Sequence, residues 1–219
     1  CKLNINKLYV LIAIVIGATG ATGTALLEQL IIDNLFSKII VFSRNKPLIN
    51  SDKLIVNIVD FEKIELWRDK IIGDVLFSAL GTTKKDAGSK EAQYKVDFTY
   101  QHNVALSAAE NKVKKILLVS SVGANDKSNF FYPKIKGELE TAIAKMPFNN
   151  IIIFQPPVLI RQKEKIRIGE KIFIKIINAL NKIGLLASQK PMSVHFLAKK
   201  MICFSKQINQ KKILTLSPK

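Results

Sequence analysis

Cysteine is nearly missing from this 219-residue chain: Cys1 and Cys203 are the only two. Two thiols exclude a disulfide framework and fit a reducing compartment. Cys1 reads as a truncated start and not as a lipid-anchored terminus, because the first apolar run follows almost at once. Long apolar runs are missing as well. The longest, 8–16, falls far short of the ~20 residues that a membrane-spanning helix needs, and no small-residue cleavage site precedes the glycines after it. These absences lead to the expectation of a soluble, cytoplasmic protein with no membrane partner. Histidine is scarce: His102 and His195 have no cysteine or carboxylate partners at ligand spacing, so no metal site is expected. Acidic residues are few, 17 against 34 lysines and arginines, for a net charge of +17. The lysines are scattered, as at Lys38, Lys84, Lys112 and Lys211, and not gathered into one arm. A general compositional bias accounts for them, and no nucleic-acid partner is expected.

What is present is an alternation of strands and helices. Continuous Ile/Val-rich runs at 8–16, 38–43, 54–59, 75–80, 115–120 and 151–155 read as strands buried on both faces of a parallel sheet. Between them lie helical patterns. Leu26, Leu27, Leu30 and Ile31 share a face, Val96, Val104 and Leu106 follow in another helix, and a further helix is expected at 133–145. The alternation predicts an α/β fold, a doubly wound parallel sheet of the Rossmann type. Trp67, near Phe61 and Leu66, is expected in the core. The whole chain reads as one domain, with 156–205 as a C-terminal elaboration that covers the cofactor and shapes a substrate pocket. Within it an amphipathic helix is expected around 171–181, and Ser193 is expected to cap a helix over 194–205. A last strand is read at 212–216. The basic stretch Arg161, Lys163, Lys165, Arg167 is either a solvated loop or a receptor for an acidic substrate.

Gly17-Ala18-Thr19-Gly20-Ala21-Thr22-Gly23 stands between the first strand and the first helix. There the first glycine allows a tight turn and the second lets backbone approach a pyrophosphate. The third lets helix and strand pack closely. The helix N-terminus offers free amides and its positive dipole end to phosphates. Gly17, Thr19, Gly20, Ala21, Thr22 and Gly23 are therefore read as cofactor-binding. The second strand ends in Ser43-Arg44 with no carboxylate, so a ribose 2′-phosphate would meet charge-assisted donors. NADP(H) is the expected cofactor, with NAD less favoured. Asp60 and Phe61, after the third strand, are placed at the adenine edge.

Tyr132 and Lys136 lie four residues apart, a spacing that puts two side chains on one helix face. An ammonium beside a phenol favours the phenolate, which could then exchange a proton with a carbonyl or hydroxyl while hydride moves. Ser120-Ser121, at the end of the fifth strand, could hold the substrate oxygen. Pro133 places Tyr132 at a helix boundary, with the helix expected to start at the proline. Ser121 precedes Tyr132 by only eleven positions, an expected short active-site loop.

With these motifs the chain resembles the short-chain dehydrogenase/reductase superfamily over nearly its whole length. The matching residues are Gly17 to Gly23, Ser43-Arg44, Leu80-Gly81-Thr82-Thr83, Asn103, Ser120-Ser121-Val122-Gly123-Ala124 and Tyr132 to Lys136. The run from Leu117 to Ala124, with Ser128-Asn129-Phe130 and Lys136-Gly137-Glu138, is similar to the atypical group that includes the Tat-interacting oxidoreductase-like proteins. The resemblance implies an NADP-binding Rossmann fold with Ser121, Tyr132 and Lys136 in the catalytic positions. It places Leu80, Gly81, Thr82, Asn103 and Ser120 beside the cofactor, and Pro156-Pro157-Val158 along the nicotinamide. The expected activity is reduction or oxidation of a small carbonyl or hydroxyl compound. The alternative is a non-catalytic NADP(H)-sensing regulator with a protein partner, and a homodimer is also considered.

Overall fold

The computed structural model describes residues 10–160, 191–207 and 212–217. The basic stretch 161–167 and the helix expected at 171–181 lie outside them. The described residues form a seven-stranded parallel sheet: β1 (Leu11–Ile16), β2 (Phe36–Ser43), β3 (Leu54–Ile58), β4 (Val75–Ser78), β5 (Lys115–Val119), β6 (Asn150–Phe154) and β9 (Ile213–Leu216). Their order is β3-β2-β1-β4-β5-β6-β9, and every pairing is parallel. The chain winds outward from β1 to β3, then crosses back to β4 and winds the other way. The crevice above β1 and β4 is thus the topological switch point, where ligands of open α/β sheets bind. A second, two-stranded sheet pairs β7 (Leu159–Ile160) with β8 (Met192–Ser193).

Ile, Val and Leu dominate the central strands because both faces are covered, and β-branched side chains suit that doubly buried surface. On one face α1 (Ala21–Ile32) and α6 (Val194–Ser205) pack over Val15, Val41, Phe77 and Leu117. Ser193 caps α6 as expected, its hydroxyl accepting from the Phe196 amide at 3.1 Å. The other face carries α4 (Tyr100–Glu110) and α5 (Phe131–Ala144) over Ile14, Ile16, Leu76 and Leu118. Two short helices, α2 (Lys84–Ala87) and α3 (Lys90–Tyr94), follow β4, and a π turn over Lys95–Thr99 joins α3 to α4. Trp67 is a core residue, stacked on Phe42 with 5.0 Å between ring centres.

The element boundaries differ from the sequence reading in two places that matter. β4 stops at Ser78 and not at residue 80. Beyond it the Ala79 amide makes a last bond to β1, donating to the Ile16 carbonyl at 3.1 Å, and Ala79 and Leu80 pass so close to Gly17 that a side chain there would collide with them. α5 begins at Phe131, two residues before the proline expected to open it. Pro133 still lies in the first turn, where its missing N–H has no partner to lose, so the preceding residues can be helical.

Candidate cofactor and catalytic site

The three glycines are not equivalent. Gly17 has φ +79°, and a Cβ on it would lie 2.4 Å from the backbone of Ala79 and Leu80. A Cβ on Gly23 would lie 2.1 Å from the Gly17 carbonyl oxygen. Both contacts are impossible, so these two glycines serve the packing of β1, β4 and α1. At Gly20 a Cβ would meet only the Gly17 oxygen, at 3.4 Å, an ordinary contact. Gly20 lines the groove at the switch point, so its bareness keeps open a space that no described residue fills. It is also the N-cap of α1, with no side-chain cap and no acidic residue in the first turn. The amides of that turn are left for a ligand, and an anion is what they attract. The groove therefore fits a dinucleotide pyrophosphate.

Ala21 and Thr22 continue this wall, and Thr19 is exposed at the loop tip. Opposite them stand Leu80, Gly81 and Thr82. Ser120, Tyr132 and Lys136 form the far end, with Leu159 and Val194 beside them. The i, i+4 spacing does bring the phenol and the ammonium together: Lys136 Nζ lies 5.9 Å from the centre of the Tyr132 ring. Tyr132 is 41% exposed, whereas Lys136 is buried. α5 is held in place by Gly137, where a Cβ would sit 2.1 Å from the Asp126 amide. That contact pins the short β5–α5 loop against the helix, helped by the Asn125 amide donating to the Pro133 carbonyl at 3.0 Å.

Lys136 has a partner that the sequence reading missed. Asp97 Oδ1 lies 2.9 Å from Nζ, and both side chains are almost wholly buried. Burial by itself would lower the lysine pKa; the charges of Tyr132, Asp97 and Glu140 outweigh it and hold it above the usual value. Lys136 is therefore an ammonium at neutral pH. The motif Val96-Asp97-Phe98 gives no hint of this, because only the π turn brings Asp97 inward.

The serines divide. Both hydroxyls are buried without a hydrogen-bond partner among the described residues. Ser120 lines the groove, whereas Ser121 is not on its wall. The remaining expected residues also stand off this groove. Ser43 is buried and donates to the Asn45 carbonyl at 2.7 Å, while Arg44 is exposed at the end of β2. Asp60 is exposed and its carboxylate caps the following turn, accepting from the Glu62 amide at 3.0 Å. Phe61 is a core residue stacked on Tyr100 and set edge-on to Trp67, which leaves it no free face for an adenine. Asn103 is half-buried beside His102. Pro156 accepts from the Val122 amide, and Val158 from the Met192 amide that continues the β7–β8 pair.

A family model described as NAD(P)H-binding matches residues 17–146, from the first glycine of the loop through the end of α5. The chain belongs to this NAD(P)H-binding Rossmann family. Protein HTATIP2 of Rattus norvegicus is 34% identical over 170 residues, covering 76% of this chain and 70% of that protein. A mitochondrial FMP52 protein of Candida albicans is 31% identical over 199 residues, 88% of this chain and 87% of the relative. These relatives bear out the resemblance to the atypical group. Among solved structures, the Bordetella bronchiseptica enzyme WbmG in complex with NAD superposes with a TM-score of 0.70 at 13% identity, over 94% of this chain and 72% of that one. That likeness shows the fold. One expectation is overturned: six fungal relatives are named as mitochondrial proteins, against the cytoplasmic reading. A Rossmann core packs alike in either compartment, so its apolar pattern carries no address. Among the described residues no helix is long and apolar enough to cross a membrane.

Proposed function

We propose that the chain is an NADP(H)-dependent oxidoreductase acting on a small carbonyl or hydroxyl compound. One observation carries this reading: Tyr132 and Lys136 share a groove with the open amides of α1. The cofactor would supply or accept the hydride. Tyr132, exposed enough to meet a substrate, gives or takes the proton at its hydroxyl. Lys136 supplies a fixed positive charge beside the ring. Ser120, its hydroxyl buried at the groove with no partner among the described residues, holds the substrate oxygen, with Ser121 next to it in the chain. Arg44, exposed at the end of β2, closes on the ribose 2′-phosphate and sets the preference for NADP(H) over NAD(H). Leu159 and Val194, which line the groove, shape the substrate pocket at the nicotinamide end.

Tyr132→Phe tests the assignment. Its kcat for NADPH oxidation with a responsive aldehyde or ketone should fall about 100-fold or more, while NADPH still binds and the thermal midpoint hardly moves. Unchanged turnover would remove Tyr132 from the mechanism. Intact NADPH binding with no turnover in the parent protein, across a carbonyl panel, would favour the sensor role.

A further inference from the structure

The helix from Lys90 to Glu110 would be regular but for the π turn at Lys95–Thr99. Such turns insert a residue, spoil local geometry and recur at functional sites. Here the inserted turn carries Asp97, which is 1% exposed. A carboxylate removed from water needs compensation on each oxygen. One oxygen accepts from the Thr82 amide at 3.1 Å, in the loop lining the groove, and the other faces Lys136 Nζ at 2.9 Å. Its backbone carbonyl accepts from Gln101 Nε2 at 2.9 Å, and Gln101 Oε1 in turn accepts from the Ser78 hydroxyl at 2.7 Å. Ser78, Gln101, Asp97 and Lys136 are all buried. Asp97 is thus anchored to the end of β4, to the cofactor-side loop and to α5 at once.

Stability alone does not account for this arrangement, since a buried ion pair is often no better than an apolar pair of the same volume. Its location does. Asp97 and Lys136 both reach the groove, and the residue beside them is Gly81, where a Cβ would come 3.3 Å from Asp97 Oδ1 and 4.0 Å from Lys136 Nζ. We propose that Asp97 is a positioning residue that fixes the Lys136 ammonium at the groove wall, where it acts on the bound dinucleotide. This rests on the reading of the groove as a nicotinamide dinucleotide site.

The test is a set of NADPH titrations, followed by NADPH fluorescence, on the parent chain, Asp97→Asn, Lys136→Met and the double variant. Each single substitution is expected to weaken NADPH about tenfold, and the double variant to be no weaker than Lys136→Met, because residues acting through one another are not additive. Asp97→Asn binding like the parent, or losses that add in the double variant, would overturn the proposal. Should Asp97→Asn fail to fold, Lys136→Met against the double variant decides alone, equal affinities supporting it and a further loss overturning it. A second readout is the pH dependence of NADPH affinity. The charged groups acting on Nζ are Asp97 from the π turn and Tyr132 and Glu140 from its own helix. In Asp97→Asn, burial should win and affinity should decline as pH rises from neutral, a slope absent in the parent and in the double variant. A merely structural role for Asp97 would leave the profiles parallel. If the parent chain binds no nicotinamide dinucleotide at all, the functional reading falls and takes this proposal with it.

Discussion

The two ends of the groove region are built on opposite terms. At the inner end, between Gly20 and Lys136, polar groups are buried, interlocked and aimed at a shared space. At the outer end, around Ser43, Arg44 and Asp60, the charged groups are exposed and satisfied by turns or solvent. The inner end is made by contacts between distant segments, so it tolerates little change. The outer end is made by strand ends and loops, where a substitution leaves the core undisturbed. Substitutions at the two ends should therefore differ in what they damage.

The largest effect is expected at Lys136. Lys136→Met strands the Asp97 carboxylate in the interior and should lower unfolding free energy by about 3–5 kcal/mol at neutral pH, read by urea denaturation. A loss under 1 kcal/mol, within the range of an exposed pair, would mean that the pair is hydrated and the contrast between ends is false. Next comes Gly23→Ala, whose methyl must displace the Gly17 carbonyl; about 3 kcal/mol of overpacking is expected, with NADPH binding lost in the same titration. Gly20→Ala, by contrast, should weaken the cofactor while leaving stability nearly intact. At the outer end Arg44→Ala should leave the thermal midpoint unchanged and weaken NADPH about tenfold relative to NADH. Equal losses for both cofactors would remove Arg44 from 2′-phosphate recognition.

The smallest effect lies at Tyr100. Burial, then its hydrogen bond to Glu62, pushes its pKa up to about 12. The folded value lies above the unfolded ~10, so the stabilisation is complete below pH ~10 and lost as pH rises through the folded pKa. Its partial exposure keeps that contribution small. The phenolate absorbance of the parent minus Tyr100→Phe should show a midpoint near 12; a midpoint at the ordinary value would sever the Tyr100–Glu62 contact.

Much of the fold was legible because buried parallel strands leave continuous apolar runs, and six of the seven strands of the main sheet fall within two residues of the runs that marked them. β1 is the exception, starting at Leu11 where its run began at residue 8. The glycine loop and the Tyr132–Lys136 pair were legible for a related reason: each depends on spacing within a short stretch. Phe61 was misplaced because an aromatic beside a strand end can face a ligand or the core, and only Trp67 and Tyr100 decide which. Ser120 and Ser121 were indistinguishable as neighbours, since their division depends on where the backbone turns after β5.

The sequence by itself determined the alternation of elements, the three glycines and the pairing of Tyr132 with Lys136, because periodicity and short spacing fix such local relations. Only the tertiary structure decided that Gly17, beyond making a turn, has the backbone of Ala79 and Leu80 where a side chain would stand. It alone revealed Asp97 behind Lys136, thirty-nine positions away along the chain. Close approach and burial are properties of segments that meet after folding, and no local pattern records them.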